Sequence, residues 1–337
     1  MRSIVYSEKG SPDVLRLVDR DPVAPGPGEV RVRIVVSGVN PTDWKSRANS
    51  DPAFAEVTPN QDGAGIVDQV GPGVTHLSEG DRVWLYLSAY QRASGTAQEF
   101  ATVDASHVVV LPHGVSFDVG ASLGVPAMTA HRALTVLEGG PDRLSKGALT
   151  GRVVLVAGGA GAVGHAAIQL ARWAGATVIS TVSGDEKAAS ARKAGAHHIV
   201  NYRTEDAARV ITSIAPNGVD IVVEVSIVAN AALDAEIVAP RAVVSMYADD
   251  GGSTASLAVR PNMSKNTRYQ FVLLYTVGEE QLQAAAQDVT EALLAGVLPV
   301  GDEAGLPLHR YPLDQTAAAH QAVEDAVVGK VLIDVAD

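Results

Sequence analysis

The sequence predicts an α/β protein with two domains: a strand-rich domain and a parallel sheet covered by helices on both faces. At 337 residues the chain exceeds the size at which one hydrophobic core usually keeps growing. Short strands between glycine-rich turns fill the first part, as at residues 31–36 and 80–85, which is typical of an antiparallel, barrel-like β domain. From about Pro126 strands and helices alternate, which indicates a parallel sheet.

The elements follow from apolar periodicity and from the turn residues that bound each run. After the first strands, apolar strands are predicted at residues 153–157, 177–182, 221–223, 242–244, 271–274 and 330–333, with helices through 166–171, 279–295 and 313–328. We expect residues 126–265 to form the parallel-sheet domain, and residues 1–125 with 266–337 to form the β domain.

The glycine-rich segment after the first strand of the parallel sheet is the most informative motif. It has the G-x-G-x-x-G spacing between a strand and a helix, and a second strand follows. In a Rossmann doubly wound sheet such glycines permit a tight turn, let a pyrophosphate approach the backbone and let the helix pack closely. The phosphates bind free N–H groups at the helix start. The alternative is a tight turn in another α/β domain. The predicted dinucleotide-binding residues are Gly159, Ala160, Gly161, Ala162, Val163 and Gly164.

Composition narrows the possible functions. The formal charge of −12 disfavours nucleic acid or an anionic membrane as the main partner. The absence of cysteine excludes disulfides and thiolate metal sites, and is consistent with a cytoplasmic protein. The first residues lack the apolar stretch of a secretory signal. Residues 153–171 are nearly uncharged, but their clustered glycines, His165 and Gln169 indicate a buried strand and helix rather than a membrane span.

Short motifs lie along nearly the whole chain, at residues 27–30 (PGEV), 38–43 (GVNPTD), 63–65 (GAG), 80–83 (GDRV), 126–130 (PAMTA), the glycine turn, 195–196 (GA), 201–202 (NY) and 329–332 (GKVL). Together and in this order they resemble the zinc-free quinone oxidoreductases, the zeta-crystallin group of the medium-chain dehydrogenase/reductases. The resemblance implies a chaperonin-10-like (GroES-like) β-barrel domain built from both chain ends, together with a Rossmann domain.

The resemblance also implies that no metal ion takes part. Zinc-dependent relatives have cysteine at the position of Asn40 and histidine at that of Gln61, and neutral amides are poor zinc ligands. Asp62 is a single carboxylate, which does not make a metal site. The nine histidines show no metal-binding spacing.

The end of the second parallel strand favours NADPH as the cofactor. NAD sites usually carry an acid there to hold the ribose hydroxyls, whereas this strand ends at Ser183 and Gly184. A serine hydroxyl can bond a 2′-phosphate and Lys187 can add a charge-assisted contact, although an exposed helix lysine is the alternative. The resemblance implies that Lys187 and Tyr202 hold the phosphate and that Thr129 contacts the nicotinamide carboxamide; otherwise Thr129 is an ordinary helix residue.

The predicted substrate-side residues are Asn40, Gln61, Asp62, Trp44 and Tyr247. The Asn40 amide can bond a quinone or enone carbonyl, or the nicotinamide ribose; alternatively it stabilises the Asn40-Pro41 turn. Gln61 and Asp62 resemble family positions at the same site. Trp44 stands where the family often has tyrosine, and it either stacks on a flat ring or packs in the core. Tyr247 replaces a smaller residue and either narrows the nicotinamide end of the site or donates a proton.

The predicted function is NADPH-dependent reduction of quinones by hydride transfer. An alternative enzyme is an NADPH-dependent reductase of enone or 2-alkenal double bonds. A zeta-crystallin-like RNA-binding protein is an alternative of another class, which the acidic charge disfavours. The resemblance further implies a homodimer or homotetramer, because residues 270–275 resemble a strand that pairs across a two-fold axis; an interior strand is the alternative.

Overall fold

Strands dominate both ends of the chain, and strands alternate with helices between them. The computed structural model describes residues 1–336. In chain order the strands are β1 (Arg2–Val5), β2 (Arg16–Asp19), β3 (Glu29–Val39), β4 (Asp62–Val70), β5 (Arg82–Leu85), β6 (Phe100–Asp104), β7 (Val108–Val110), β8 (Val153–Ala157), β9 (Thr177–Val182), β10 (His198–Asn201), β11 (Val219–Glu224), β12 (Val238–Met246), β13 (Arg268–Phe271), β14 (Leu308–Pro312) and β15 (Lys330–Asp334). The α-helices are α1 (Pro41–Asn49), α2 (Phe117–Gly120), α3 (Gly124–Leu134), α4 (Ala162–Trp173), α5 (Asp185–Lys193), α6 (Ala207–Ile214), α7 (Ile227–Ile237), α8 (Val259–Lys265), α9 (Glu279–Leu294) and α10 (Thr316–Glu324).

The chain divides into two units. Unit 1 comprises Met1–Val125 and the residues from Pro307 onward, and unit 2 comprises Pro126–Leu306. Within residues 1–336, no helix is both long enough and apolar enough to cross a membrane.

Unit 1 is built on a sheet in the order β14-β15-β3-β4-β5-β7, with β6 also pairing with β3. The pairs are antiparallel except for β14 with β15. The register of β3 against β4 shifts on either side of residues 32–34, and such bulges bend a sheet. Alternate residues of β3, including Val30, Val32 and Ile34, are fully buried in the core of this unit.

Unit 2 contains a parallel sheet in the order β10-β9-β8-β11-β12-β13. This is the doubly wound order in which the chain leaves the central strand first to one side and then to the other. Because all strands point the same way, the loops after their carboxyl ends lie along one edge of the sheet. The predicted Rossmann sheet is thereby confirmed.

The predicted second domain boundary is wrong. Residues 266–306 belong to unit 2, not to the β domain. Strand β13 pairs in parallel with β12, and Asp288 of α9 accepts hydrogen bonds from His131 and Arg143 within unit 2. An apolar run followed by a helix does not reveal which sheet the run will join, because that choice depends on long-range pairing.

Candidate cofactor and substrate sites

The turn after β8 is held tight by glycines that larger residues could not replace. Gly158 has a left-handed φ of +69°, which glycine adopts without steric cost. A Cβ on Gly164 would stand 2.4 Å from the carbonyl oxygen of Gly158, and one on Gly159 would stand 2.1 Å from Oγ of Ser180. Helix α4 and strand β9 therefore pack directly on the turn. The left-handed glycine is Gly158, which precedes the three glycines of the predicted spacing.

Gly161 has a more open environment. It is the exposed N-cap of α4, with a φ of −80°, and the nearest atom to an added Cβ is the Gly158 carbonyl oxygen at 3.5 Å. Residues 162–164 form the first turn of α4, where helix N–H groups have no intrahelical partner. Ala160 is 4% exposed and packs inside the turn. Room in front of unpaired N–H groups at this helix start fits the pyrophosphate of a dinucleotide.

Ser183, Lys187 and Tyr202 lie along the carboxyl edge of β9 and β10. Ser183 follows β9 and is half-buried, and the exposed Lys187 stands in the first turn of α5. The N–H of Tyr202 donates to the carbonyl of Val182 at 3.2 Å, which places Tyr202 beside the end of β9. The Tyr202 residue is 53% exposed. This edge therefore presents hydroxyl and ammonium groups where NAD-binding folds usually have an acid.

Two buried carboxylates lie at the end of β11 and in the helix that follows it. Glu224 is 1% exposed; Nδ2 of Asn230 donates to its two oxygens at 3.0 and 3.2 Å, and the N–H of Ser226 also donates to it. Asp234, further along α7, is fully buried, and neither carboxylate oxygen has a hydrogen-bond partner within residues 1–336. Burial, and then the charge of Glu224, raises the pKa of Asp234 to about 8. Asp234 therefore holds a proton at neutral pH.

Tyr247 follows β12 and is half-buried. Its N–H donates to the carbonyl of Glu224 at 3.1 Å. Burial, followed by the charges of Glu224 and Asp250, raises the pKa of the Tyr247 hydroxyl. A phenol with a raised pKa is protonated at neutral pH, so both predicted roles of Tyr247, proton donation and a narrowing of the site, stay predictions.

In unit 1, Asn40 lies in a buried polar group that we call the Asn40 cluster, consisting of Asn40, Asp43, Asp62 and Lys330. The ammonium of Lys330 donates to Oδ1 of Asn40 at 2.7 Å and to the carbonyl of Val39 at 3.2 Å. Nδ2 of Asn40 donates to Oδ2 of Asp62 at 2.7 Å. Asn40 is 1% exposed, so its amide is engaged inside unit 1 at both ends. Asn40 therefore has no exposed amide group with which to make the predicted contact to a substrate carbonyl or a ribose.

The two carboxylates of the Asn40 cluster tie neighbouring loops together. Asp43, in the first turn of α1, accepts the N–H of Asn40 at 2.7 Å and that of Gln61 at 3.1 Å. Asp62 accepts the N–H of Val125 at 2.9 Å. Burial, and then the charge of Asp62, raises the pKa of Asp43 to about 7. Burial also raises the pKa of Asp62, against the opposing effect of the Lys330 ammonium.

Gln61, Trp44 and Thr129 have different degrees of exposure. Gln61 is half-buried and its Oε1 accepts the N–H of Ala89 at 3.1 Å, which leaves Nε2 as the donor that its amide can offer. Trp44 is half-buried on α1. Thr129, on α3, is 5% exposed. Of the predicted substrate-side residues in unit 1, Gln61 and Trp44 are therefore the accessible ones, whereas Asp62 is fully buried.

We call residues 59–61, which lead into β4, the Gln61 loop; left-handed, non-glycine residues lie in it and next to it. Buried Asn60 has a φ of +77°, and Leu87, which is 1% exposed, has a φ of +51°. The Asn60 amide is fixed by Nε2 of His320, 2.9 Å from its Oδ1, and by Oγ of Ser37, to which its Nδ2 donates at 2.9 Å. Burial lowers the pKa of His320 to about 3, so the imidazole is neutral. Such conformations persist only where the surroundings fix them, and they are common at functional sites.

The sequence predictions missed Lys330 and the carboxylates Asp43, Glu224 and Asp234. A lysine that opens the otherwise apolar strand at residues 330–333 was a usable signal, because a lysine in an apolar strand must find a partner when it is buried. The carboxylates gave no such signal, since their burial depends on the packing of distant segments.

Comparison with protein families assigns both units. Residues 26–113 match the profile described as "Alcohol dehydrogenase GroES-like domain", and residues 162–291 match that described as "Zinc-binding dehydrogenase". Unit 1 is therefore GroES-like, as predicted.

The residues of unit 1 do not fit the zinc ion that the second profile names. Amides stand at residues 40 and 61, and the ammonium of Lys330 lies 2.7 Å from Oδ1 of Asn40, where it would repel a metal cation. Residues 1–336 contain no group of three or more His, Cys, Asp or Glu side chains placed to hold a metal ion.

Relatives match over the full length. A quinone oxidoreductase of Rattus norvegicus is 31% identical, with 99% of this chain and 97% of the rat protein covered. A 2-haloacrylate reductase of a Burkholderia species is 30% identical, with 94% and 93% covered. The crystal structure of Escherichia coli quinone oxidoreductase complexed with NADPH superposes with a TM-score of 0.81 at 26% identity, covering 99% of this chain and 100% of that one. The chain therefore belongs to the quinone oxidoreductase family of the medium-chain dehydrogenase/reductases, a family of oxidoreductases.

Proposed function

We propose that the protein reduces quinones with NADPH by hydride transfer, without a metal ion. The observation that carries this proposal is the Asn40 cluster. At the position where zinc-dependent relatives have a cysteine ligand, this chain has an amide bonded to a buried ammonium. Activation of a substrate carbonyl therefore falls to hydrogen bonds rather than to a Lewis acid.

The cofactor side rests on unit 2. When bound, NADPH supplies the hydride to an electron-poor carbon conjugated with a carbonyl. Residues 162–164 offer N–H groups to its pyrophosphate, and Gly161 leaves room for that group to approach. Ser183, Lys187 and Tyr202 offer hydroxyl and ammonium groups for the 2′-phosphate. We assign to Thr129 the contact with the nicotinamide carboxamide that the family resemblance implies. We assign to Tyr247 the narrowing of the nicotinamide end of the site.

On the substrate side, Gln61 takes the place first predicted for Asn40. Its Oε1 is held by the N–H of Ala89, so Nε2 is oriented as the donor toward a substrate carbonyl. The half-buried Trp44 offers a flat apolar face to a quinone ring. Asn40 and Asp62 act by holding the Gln61 loop in place, and water delivers the proton that completes reduction.

The experiment that tests this proposal is a steady-state assay of NADPH and NADH oxidation with a panel of quinones, using protein dialysed against a chelator. We expect turnover with NADPH, a preference for NADPH over NADH, and no loss of activity after chelation. Loss of activity on chelation that zinc restores would contradict a metal-free reaction.

A reductase of conjugated double bonds is the second candidate. It is favoured by the similarity to a 2-haloacrylate reductase, whose name describes an enzyme that acts on a conjugated substrate. Comparing kcat/KM for para-benzoquinone with that for acrolein decides between the two, because the better substrate class identifies the reaction.

We also propose that the chain forms a homodimer or homotetramer. In the described sheet β13 is an edge strand, and its Phe271 is 76% exposed, with Leu273 nearby at 57%. An exposed edge strand that carries an apolar side chain is available to pair with another chain.

A further inference from the structure

Lys330 is a buried cation for which the proposed reaction has no direct use. It opens β15 and is 2% exposed. Because Val331 pairs with Val39 in the antiparallel register of β15 and β3, Lys330 lies opposite Asn40. A buried lysine is rare unless its charge is compensated, so its partners indicate its purpose.

The backbone around Lys330 is shaped to admit its side chain. A Cβ on Gly38 would stand 3.2 Å from Cε of Lys330 and 2.1 Å from the carbonyl oxygen of Ala121. The preceding Gly329 has a φ of +128°, and a Cβ there would stand 2.3 Å from the carbonyl oxygen of Pro307. Larger residues at either glycine would displace the start of β15. The position of the Lys330 side chain beside Asn40 therefore depends on both glycines.

The contacts of Lys330 fix the orientation of the Asn40 amide. An ammonium can only donate, so the amide atom 2.7 Å from Nζ is the oxygen. The amide nitrogen therefore faces Asp62, which accepts from it at 2.7 Å. Nζ also lies 3.9 Å from Oδ2 of Asp62. The ammonium of Lys330, the amide of Asn40 and the carboxylate of Asp62 therefore form one hydrogen-bonded group, in which the amide joins the cation to the carboxylate.

The Asn40 cluster is also connected to the backbone of Gln61, whose side-chain amide is accessible. Asp62 directly follows Gln61, and Asp43 accepts the N–H groups of both Asn40 and Gln61. Displacing Asn40 or Asp62 would therefore move the backbone that carries the Gln61 side chain.

We infer that Lys330 is a positioning residue: its ammonium is the internal cation to which Asn40 and Asp62 are bound, and it thereby holds the Gln61 loop for the substrate carbonyl. The catalytic part of this inference rests on the proposed function. The structural part, in which the cation holds Asn40 and Asp62, does not depend on that function. In the reaction Lys330 itself touches neither substrate nor cofactor.

The first test is Lys330→Met, which keeps the length of the side chain and removes its charge, with the exposed Lys9→Met as the matched control. We expect kcat/KM for para-benzoquinone to fall about tenfold to a hundredfold, because the hydrogen bond of a charged group to the Asn40 amide is lost. The Kd for NADPH should stay within about twofold, because no residue of the glycine turn is altered. Lys9, which pairs at the surface with Asp51, should give wild-type values. Wild-type kcat/KM in Lys330→Met would overturn the inference.

A second variant decides the case if Lys330→Met fails to fold. Exchanging the two groups, Asn40→Asp together with Asp62→Asn, keeps the net charge and still offers the ammonium a carboxylate oxygen. We expect this double variant to recover at least tenfold in kcat/KM over either single substitution. If it is no better than the singles, then charge and amide orientation around Lys330 do not position the site.

Hydrogen–deuterium exchange separates this inference from the proposed function. In Lys330→Met, or in either single substitution, backbone amides of residues 39–43 and 61–62 should exchange faster than in the wild type, while those of α4 do not change. Suppose that the wild type does not oxidise NADPH with any quinone, yet the variants exchange these amides faster than the wild type does. The proposed function is then contradicted, whereas the structural role of Lys330 is supported. Unchanged exchange in both segments would contradict the role of Lys330 whatever the activity.

Discussion

Alanine at Gly164 should lower the stability of the fold, whereas alanine at Gly161 should mainly weaken the binding of NADPH. A Cβ at Gly164 would stand 2.4 Å from the Gly158 carbonyl oxygen and 2.9 Å from Cα of Gly159, both backbone atoms that cannot turn away. Overpacking of this kind costs about 1–3 kcal/mol. At roughly 2–4 °C per kcal/mol for a domain of this size, the Tm of Gly164→Ala should fall by roughly 2–12 °C.

Gly161→Ala is the matched control. The residue is exposed, its φ of −80° suits any amino acid, and an added Cβ meets its nearest atom at 3.5 Å. Its Tm should therefore change less than that of Gly164→Ala, because the restriction of the unfolded chain by the new side chain offsets part of the stability lost when alanine replaces glycine at the N-cap. The methyl group would instead occupy the space in front of the free N–H groups. Loss of one charge-assisted hydrogen bond, about 1.5–3 kcal/mol, would raise the Kd for NADPH by about tenfold to more than a hundredfold.

Thermal unfolding followed by circular dichroism gives the Tm of each variant, and fluorescence titration gives the Kd for NADPH. Wild-type affinity in Gly161→Ala would refute pyrophosphate binding at the start of α4. An unchanged Tm in Gly164→Ala would refute the close packing of that helix on the turn.

Four further substitutions test other parts of the structure. Asp234 has a pKa raised to about 8 in the folded state, from 3.8, so its burial lowers the free energy of unfolding as pH rises from about 4 to 8, by an amount that approaches a limit on the order of 5 kcal/mol. The Tm of Asp234→Asn should therefore exceed that of the wild type increasingly over this range, and parallel Tm curves would count against a buried proton. Lys187→Met should raise the Kd for NADPH about tenfold without changing that for NADH, and equal effects on both nucleotides would exclude a 2′-phosphate contact. Gln61→Leu should lower kcat/KM for para-benzoquinone about tenfold at constant Kd for NADPH, and wild-type turnover would remove Gln61 from the site. Phe271→Asp on the exposed edge β13 should reduce the mass measured by light scattering to that of a monomer, whereas an unchanged oligomer would place the interface elsewhere.

The Rossmann part of the fold was readable from sequence because its signals are local. The run from Val153 to Ala157, the glycines and the apolar face of α4 lie within one βαβ unit, and their spacing alone predicts strand, turn and helix. The role of Gly158 was not readable in this way. Which of several neighbouring glycines adopts a left-handed φ depends on how α4 packs against the turn.

The substrate-side chemistry was less predictable because its contacts span the chain. Lys330 and Asn40 are 290 positions apart and meet only because β15 pairs with β3. Without that pairing, Asn40 looks like a free amide in a loop, whereas in the structure both ends of the amide are bonded. The predicted domain boundary at residue 266 was wrong for the same reason. Pairing with β12, and not composition, determines that the edge strand β13 belongs to the parallel sheet.

Oxidation of NADPH by para-benzoquinone, measured by the loss of nicotinamide absorbance in chelator-treated protein, tests hydride transfer most directly. We predict saturable turnover that is faster with NADPH than with NADH and is insensitive to added zinc. If correctly folded protein binds neither nucleotide, or binds NADPH but reduces no quinone or conjugated carbonyl compound, the proposed reaction is contradicted.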